Sequence, residues 1–316
     1  MAPIVETFSA ASIPAQLLTR LNSHLPFSLT VLRRLQVASR KQGGSTPNSH
    51  ILYVHDGSYT DGPFAAAYMD LSRGPETECW IYSSLQDSVP PNPSPTSSEV
   101  LLPTGLSPDE QEVCVRQLLF LLRRVRTIET SYASVHGEEG FNKGHSRGHV
   151  RIGALHETVR RLLIAAGVKV KATSVVPVGK EWEFYATWLI RVEDLKIEDE
   201  VALPTGMRWD VLRQGDTELV KGRTNIPKRD TVIRAEDGTA VAWGYLGVDG
   251  SVSTLHVEEP YRGRGLAKAL TGRLLRDRLQ ELGDDGWCST DISTTNLQSQ
   301  GVFKSIGGKP AWTVSW

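Results

Sequence analysis

The sequence predicts a mixed α/β (α+β) protein of two domains. Three observations carry that expectation. The chain has 316 residues, more than one ordinary domain needs. Segments with apolar residues every three or four positions alternate with short runs rich in Val, Ile, Tyr and Trp. Finally, residues 231–257 read as a meander punctuated by Asp237-Gly238 and Asp249-Gly250, feeding its last strand into a leucine-striped helix.

In chain order, Ile4 to Phe8 suits a short strand. Leucines at 17, 18, 21 and 25 predict a helix over Pro14–Leu25. "HILYVHDG", from His50, reads as a strand closed by an Asp-Gly turn, and "ECWIYSSL" as another. "SVPPNPSPTSS", Ser88 to Ser98, is a loop, because proline removes donors and serine competes for the backbone. Ser107, Pro108 and Glu110 form a capping box with proline at the first helical position. Val113, Leu118, Leu119, Leu121, Leu122 and Val125 give that helix its apolar surface, and Arg123, Arg124 and Arg126 a solvated one. The Gly-rich loop His136–His149 precedes a helix expected from about Arg151 to Ala166. "EWEFYATWLIRV" reads as the last strand of this half, with a boundary near Lys196 to Leu203, giving domains 1–197 and 198–316.

The second half opens with a short helix expected at Thr217–Gly222, then strands at Thr231–Ala235, Thr239–Leu246 and "SVSTLHV". The stretch after them, "EEPYRGRGLAKALTGRLL", carries the chemistry. Leu266, Leu270, Leu274, Leu275, Leu279 and Leu282 form one stripe, and Gly283 suits its end. The first turn therefore lies at Arg264–Ala267, where free N–H groups and the helix dipole favour an anion. Gly263 and Gly265 let that anion approach, and Arg262 and Arg264 add charge, so a pyrophosphate fits best. A bare surface turn with two solvated arginines is the competing reading. No Gly-Lys-Ser/Thr follows, and no βαβ unit surrounds the turn, so neither nucleotide P-loop nor dinucleotide fingerprint applies.

Composition narrows the classes of function. Thirty-five basic against 36 acidic residues give net charge −1, which favours neither nucleic acid nor an anionic membrane. Cys79, Cys114 and Cys288 are scattered without metal spacing, which suits a reducing, cytoplasmic setting. His145 and His149 share no ligand geometry, and no metal is expected. No basic-then-apolar leader and no run near ~20 apolar residues is seen.

The order meander, Arg-x-x-Gly-x-Ala turn (Arg262, Gly265, Ala267), helix, strand "GWCSTDI", then a helix opened by Asn296, resembles the acyl-CoA-binding core of the GNAT acyltransferase superfamily. Val257, Pro260 and Tyr261 match the entry to its pyrophosphate loop. More closely, "LPFSLTVLRRLQVASR", "GTAVAWGYLGVDGSVSTLHVEEPYRGRGLA" and the terminal "KPAWTVSW" look like the glycine N-acyltransferase family, in which a diverged GNAT-like N-domain precedes the catalytic one.

That resemblance implies two tandem GNAT-like domains and direct acyl transfer from acetyl-CoA or another short acyl-CoA to a small-molecule amine such as an amino acid. A homodimer is compatible with it. The strand Ser253–Val257 and the strand around Ser289–Ile292 should splay, with backbone N–H groups near Leu255–Val257 at the thioester. Arg262, Gly263, Arg264, Gly265, Leu266 and Ala267 would hold the pyrophosphate, and Asn296 and Phe303 would flank the cofactor. The family's strand carboxylate falls at Ser251, which is no base, and its tyrosine acid at Phe303, which has no proton to give. Asp291, five residues before Asn296, is the expected base and His256 the other candidate; strand-end bonding and a satisfied structural histidine are their competing readings. A protein N-acetyltransferase and a non-catalytic CoA-binding module remain alternatives.

Overall fold

The computed structural model describes residues 2–40, 43–57, 61–73, 79–90, 105–137, 148–170, 184–197, 202–216, 219, 231–278, 282–283 and 285–316. The loops expected within 91–98 and 138–147, the helix expected at 217–222 and the position of Leu279 fall outside the described residues, apart from Leu219, which is helical. Two compact units emerge, residues 1–186 with 311–316, and residues 187–310. The division thus falls earlier than a 197/198 boundary, inside a strand, because long-range strand pairing rather than local composition sets it.

The first unit holds a sheet ordered β1 (Ile4–Phe8), β2 (His50–His55), β3 (Phe64–Met69), β4 (Cys79–Ser83) and β5 (Ile152–Gly153). Its pairs are antiparallel except β4 with β5, which run parallel through Cys79↔Ile152 and Trp80↔Gly153. Strand alternation sorts its side chains onto two faces. Leu52, Val54, Ala65, Ala67 and Ile81 pack with Leu118, Leu121 and Val125 of the helix α3 (Pro108–His136). That helix starts as the capping box predicts: Glu110 N–H donates to Ser107 Oγ at 3.3 Å, and Ser107 N–H to Glu110 Oε2 at 2.8 Å.

The opposite face is aromatic. Tyr53, Phe64, Tyr68 and Tyr82 are buried there, and guanidinium groups from α1 (Ala15–Ser23) and α2 (Leu29–Arg40) cover them. Arg20 lies 4.2 Å from the Phe64 ring centre and Arg34 3.7 Å from that of Tyr68, a cation–π layer in place of an aliphatic one.

Residues 151–156 correct the sequence expectation. They are not the start of a helix but β5 and β6 (Leu155–His156), and the helix α4 spans only Glu157–Ala165. β6 is held by antiparallel pairing with β13 (Lys309–Ser315), Val314↔His156, a distant partner that local spacing does not reveal. His156 is buried, and its Nδ1 accepts from Thr158 N–H at 3.2 Å, so Nε2 carries the proton. Burial pushes its pKa down from 6.5 to about 4, partly opposed by Glu157. The folded state therefore resists protonation more than the unfolded chain. Its contribution is complete above pH ~6.5 and is lost as pH falls toward ~4, by roughly 3 kcal/mol. Urea midpoints at pH 7 and pH 4.5 should differ more for the wild type than for His156→Gln; equal differences refute this.

In the second unit, β8 (Arg208–Val211), β9 (Thr231–Arg234), β10 (Ala240–Leu246) and β11 (Val252–Val257) form an antiparallel meander with β11 at one edge. The helix α5 (Leu266–Arg278) buries Leu266 and Leu270 against Ile233, Val241 and Ala242, as the stripe predicts. β12 (Trp287–Ser293) lies beside β7 (Phe184–Arg191), and α6 (Leu297–Ser305) follows. No helix among the described residues is long and apolar enough to cross a membrane.

Candidate functional site

β11 and β12 touch at one end only. Ser251 and Ser289 form an isolated parallel bridge, and Thr290 Oγ1 donates to the Val252 carbonyl at 2.7 Å. Beyond that point the two strands belong to different sheets, so a gap opens between them. The β11 side of the gap is a sheet edge. Glu258 N–H bonds the Val241 carbonyl at 2.9 Å, and alternation then turns the N–H groups of Val257 and Leu255 away from β10, toward the open edge.

A bulge shapes this edge. His256 pairs with Trp243 but Ser253 pairs with Tyr245, so β11 has one residue more than β10 over this interval. Thr254 takes up the excess at φ +50°, a conformation that strains a β-branched residue. Its Oγ1 is buried and makes no hydrogen bond.

At the end of β11 the chain makes one 3₁₀ turn, Glu259–Tyr261, and enters the Arg-Gly-Arg-Gly segment. Gly263 and Gly265 have φ +75° and +77°, which only glycine adopts cheaply. A Cβ at either would meet nothing within 4 Å, so their faces are open. Ala269 N–H bonds the Gly265 carbonyl at 3.0 Å, so α5 begins at Leu266 and its first N–H groups have no partner within the helix. Arg262 Nε donates to the Val257 carbonyl at 3.1 Å, and Arg264 to the Pro260 carbonyl at 3.3 Å. A cavity of about 310 Å³ adjoins the loop, lined by Leu203, Gly265 and the cations Lys196, Arg264 and Lys268. Dipole and cations together favour an anion here.

The remaining candidates separate by face. Leu255 and Val257 pack toward Leu266 and Tyr261, so they offer backbone to the gap rather than side chains. His256 turns the other way. Its ring stacks on Trp243, centres 4.5 Å apart and planes at 22°, and its Nε2 lies 3.6 Å from Glu258 Oε1. Asp291, on β12, accepts from Thr187 Oγ1 of β7 at 2.7 Å. Asn296 Oδ1 accepts from Ser299 N–H at 3.1 Å and caps α6. Phe303 corrects an expectation: it is 2% exposed, core of the unit, with no surface to flank a cofactor. Leu266 is equally buried, which leaves only its backbone N–H to face a ligand. Ser251 Oγ donates to Asp249 at 2.7 Å.

Sequence reasoning missed Glu258, although its place two residues after His256 on an extended segment was a usable signal. It also missed Lys196 and Lys268 as lining residues. Among the described residues no group of His, Cys, Asp or Glu could hold a metal ion, and all three cysteines are buried thiols.

Residues 3–181 match the family model of the acyl-CoA N-acyltransferase verG N-terminal domain, and residues 232–316 match that of FR47-like protein. No curated protein matches the chain. Among solved structures, a Drosophila protein aligns over 99% of this chain and 97% of its own, at 14% identity and TM-score 0.56. A tandem GNAT protein from the clavulanic acid biosynthesis pathway aligns over 99% and 98%, at 10% identity and TM-score 0.47. A GCN5-related N-acetyltransferase from Sphaerobacter thermophilus aligns over 99% and 94%, at 13% and 0.49.

Proposed function

Since the chain belongs to the family of the acyl-CoA N-acyltransferase verG N-terminal domain and has a tandem GNAT-like fold, we propose that it transfers a short acyl group from acyl-CoA to the amine of a small molecule such as an amino acid. The observation that carries this reading is the conjunction of an open strand gap with an anion-seeking helix start at its mouth. Backbone N–H groups from Gly263 to Ala267 would hold the pyrophosphate, with Arg264 and Lys268 beside them, while the Arg262 N–H is taken by the Glu259 carbonyl at 3.2 Å. Val257 and Leu255 N–H groups would meet the thioester carbonyl, where negative charge grows as the amine attacks. The narrower likeness to glycine N-acyltransferases, carried by "LPFSLTV" and "KPAWTVSW", points to an amino-acid acceptor.

The test is CoA-thiol release with a panel of acyl-CoAs and amines, followed by the mass of the product. A small amine should support release. Release with peptides alone makes the protein a peptide or protein N-acetyltransferase. Acyl-CoA binding with no release makes it a CoA-binding module, a reading that the committed hydroxyl of Ser251 and the buried ring of Phe303 favour.

A further inference from the structure

We propose, on the acyl-transfer reading above, that His256 and Glu258 act as a pair: His256 takes the proton of the attacking amine, and Glu258 is the positioning residue that balances the imidazolium. Both side chains are 21% exposed, but His256 Nε2 is itself buried toward Glu258, so the amine is assigned to the Nδ1 side of the ring. The Trp243 ring fixes the imidazole plane by stacking at 22°. Strand alternation places His256 on the opposite face from Leu255 and Val257 and keeps all three on the strand that borders the gap.

The separation of 3.6 Å is informative. It lies just beyond hydrogen-bond length, so the neutral imidazole gains little from the carboxylate. Once the ring is protonated, a charge pair forms at once. Glu258 thus favours the state in which the proton has moved, and stabilisation confined to that state accelerates the step. Titratable and charged groups on the neighbouring elements are Tyr245 of β10, Cys288 and Asp291 of β12, and Glu259, Tyr261, Arg262 and Arg264 of the following turn. Asp291 is engaged by Thr187 at 2.7 Å and Arg262 by the Val257 carbonyl at 3.1 Å.

In the step itself, the amine nitrogen bonds the thioester carbon and its proton passes to the imidazole. The carbon–sulfur bond then breaks, the electron pair leaves with CoA sulfur, and the imidazolium returns the proton to that thiolate. Amide and CoA thiol are the products, and the pair ends as it began.

Glu258→Gln keeps the shape and removes the charge. It should lower turnover about tenfold and move the acidic limb of the kcat/KM profile down by about half a pH unit, because an imidazole loses its proton more easily without a neighbouring carboxylate. Acyl-CoA affinity should hold, and Glu258→Asp should recover part of the rate. His256→Gln should lose at least a hundredfold in turnover while still binding acyl-CoA in a thermal-shift assay, which also verifies that it folds. Full turnover with an unshifted profile in Glu258→Gln, or an active His256→Gln, overturns the pair and leaves acyl transfer standing. Bound acyl-CoA with no thiol release for any amine in the wild type overturns the transfer reading, and the pair with it.

Discussion

Gly265→Trp should abolish the thermal stabilisation expected from acyl-CoA on the proposed function. A ligand that binds only the folded state at a hundred times its Kd stabilises it by about 2.7 kcal/mol, several degrees for a unit of this size. At Gly265 the missing Cβ leaves nothing within 4 Å, so the substituted ring meets open space in the free protein and the fold survives. The cost to the free protein is that of placing a side chain at φ +77°, about 1–2 kcal/mol. The cost to binding is complete, because the ring fills the approach to the first N–H groups of α5. Gly137, at φ +61° and equally open at the end of α3, provides the control. Gly137→Trp carries the same strain and should keep the full shift. A Gly265→Trp protein that still shifts would place the ligand elsewhere.

Arg234→Leu should cost the second unit about 3–5 kcal/mol, the usual loss when one partner of a buried charge cluster is removed. The Arg234 side chain is 2% exposed. Its Nε donates to Asp210 at 2.6 Å, and its terminal nitrogens to Asp216 at 2.9 and 2.5 Å, to the Val211 carbonyl at 3.0 Å and to the Gly238 carbonyl at 3.2 Å. The whole guanidinium fork is thus engaged, pinning β9 to β8 and to two turns. Hydrogen bonding to Asp216 raises the Arg234 pKa, and the same bond holds the Asp216 carboxyl below its ordinary value. Leucine would leave two carboxylates facing an apolar stub. Adding Asp210→Asn and Asp216→Asn should recover much of the loss, since no uncompensated charge remains. A urea-measured loss under 1 kcal/mol for Arg234→Leu would show that the cluster is held by other contacts.

How much of this was legible depended on the range of the interaction. The Ser107 capping box, the Asn296 cap and the stripe of Leu266, Leu270, Leu274 and Leu275 in α5 are spacings of three or four residues, and each forms where its residues stand. The strand β3 was not legible. Its sequence, FAAAYM, contains three alanines, good helix formers, yet it pairs along its length with β2 and β4. Residues 151–156 read as helix for the same reason, their partners lying in β4 and β13. Of the site, the glycines and arginines of the turn could be read directly. The pairing of His256 with Glu258 and the tether of Asp291 to Thr187 could not.

The sequence by itself determined the glycine turn at the start of α5, because positive-φ glycines and a helix start are local properties of a few consecutive residues. Tertiary structure decided the rest of the site. It set the gap between β11 and β12, the bulge at Thr254, the face on which His256 lies and the unit to which residues 311–316 belong. A strand's edge, register and twist are fixed by what it pairs with, and those partners sit far away in the chain, where no local spacing records them.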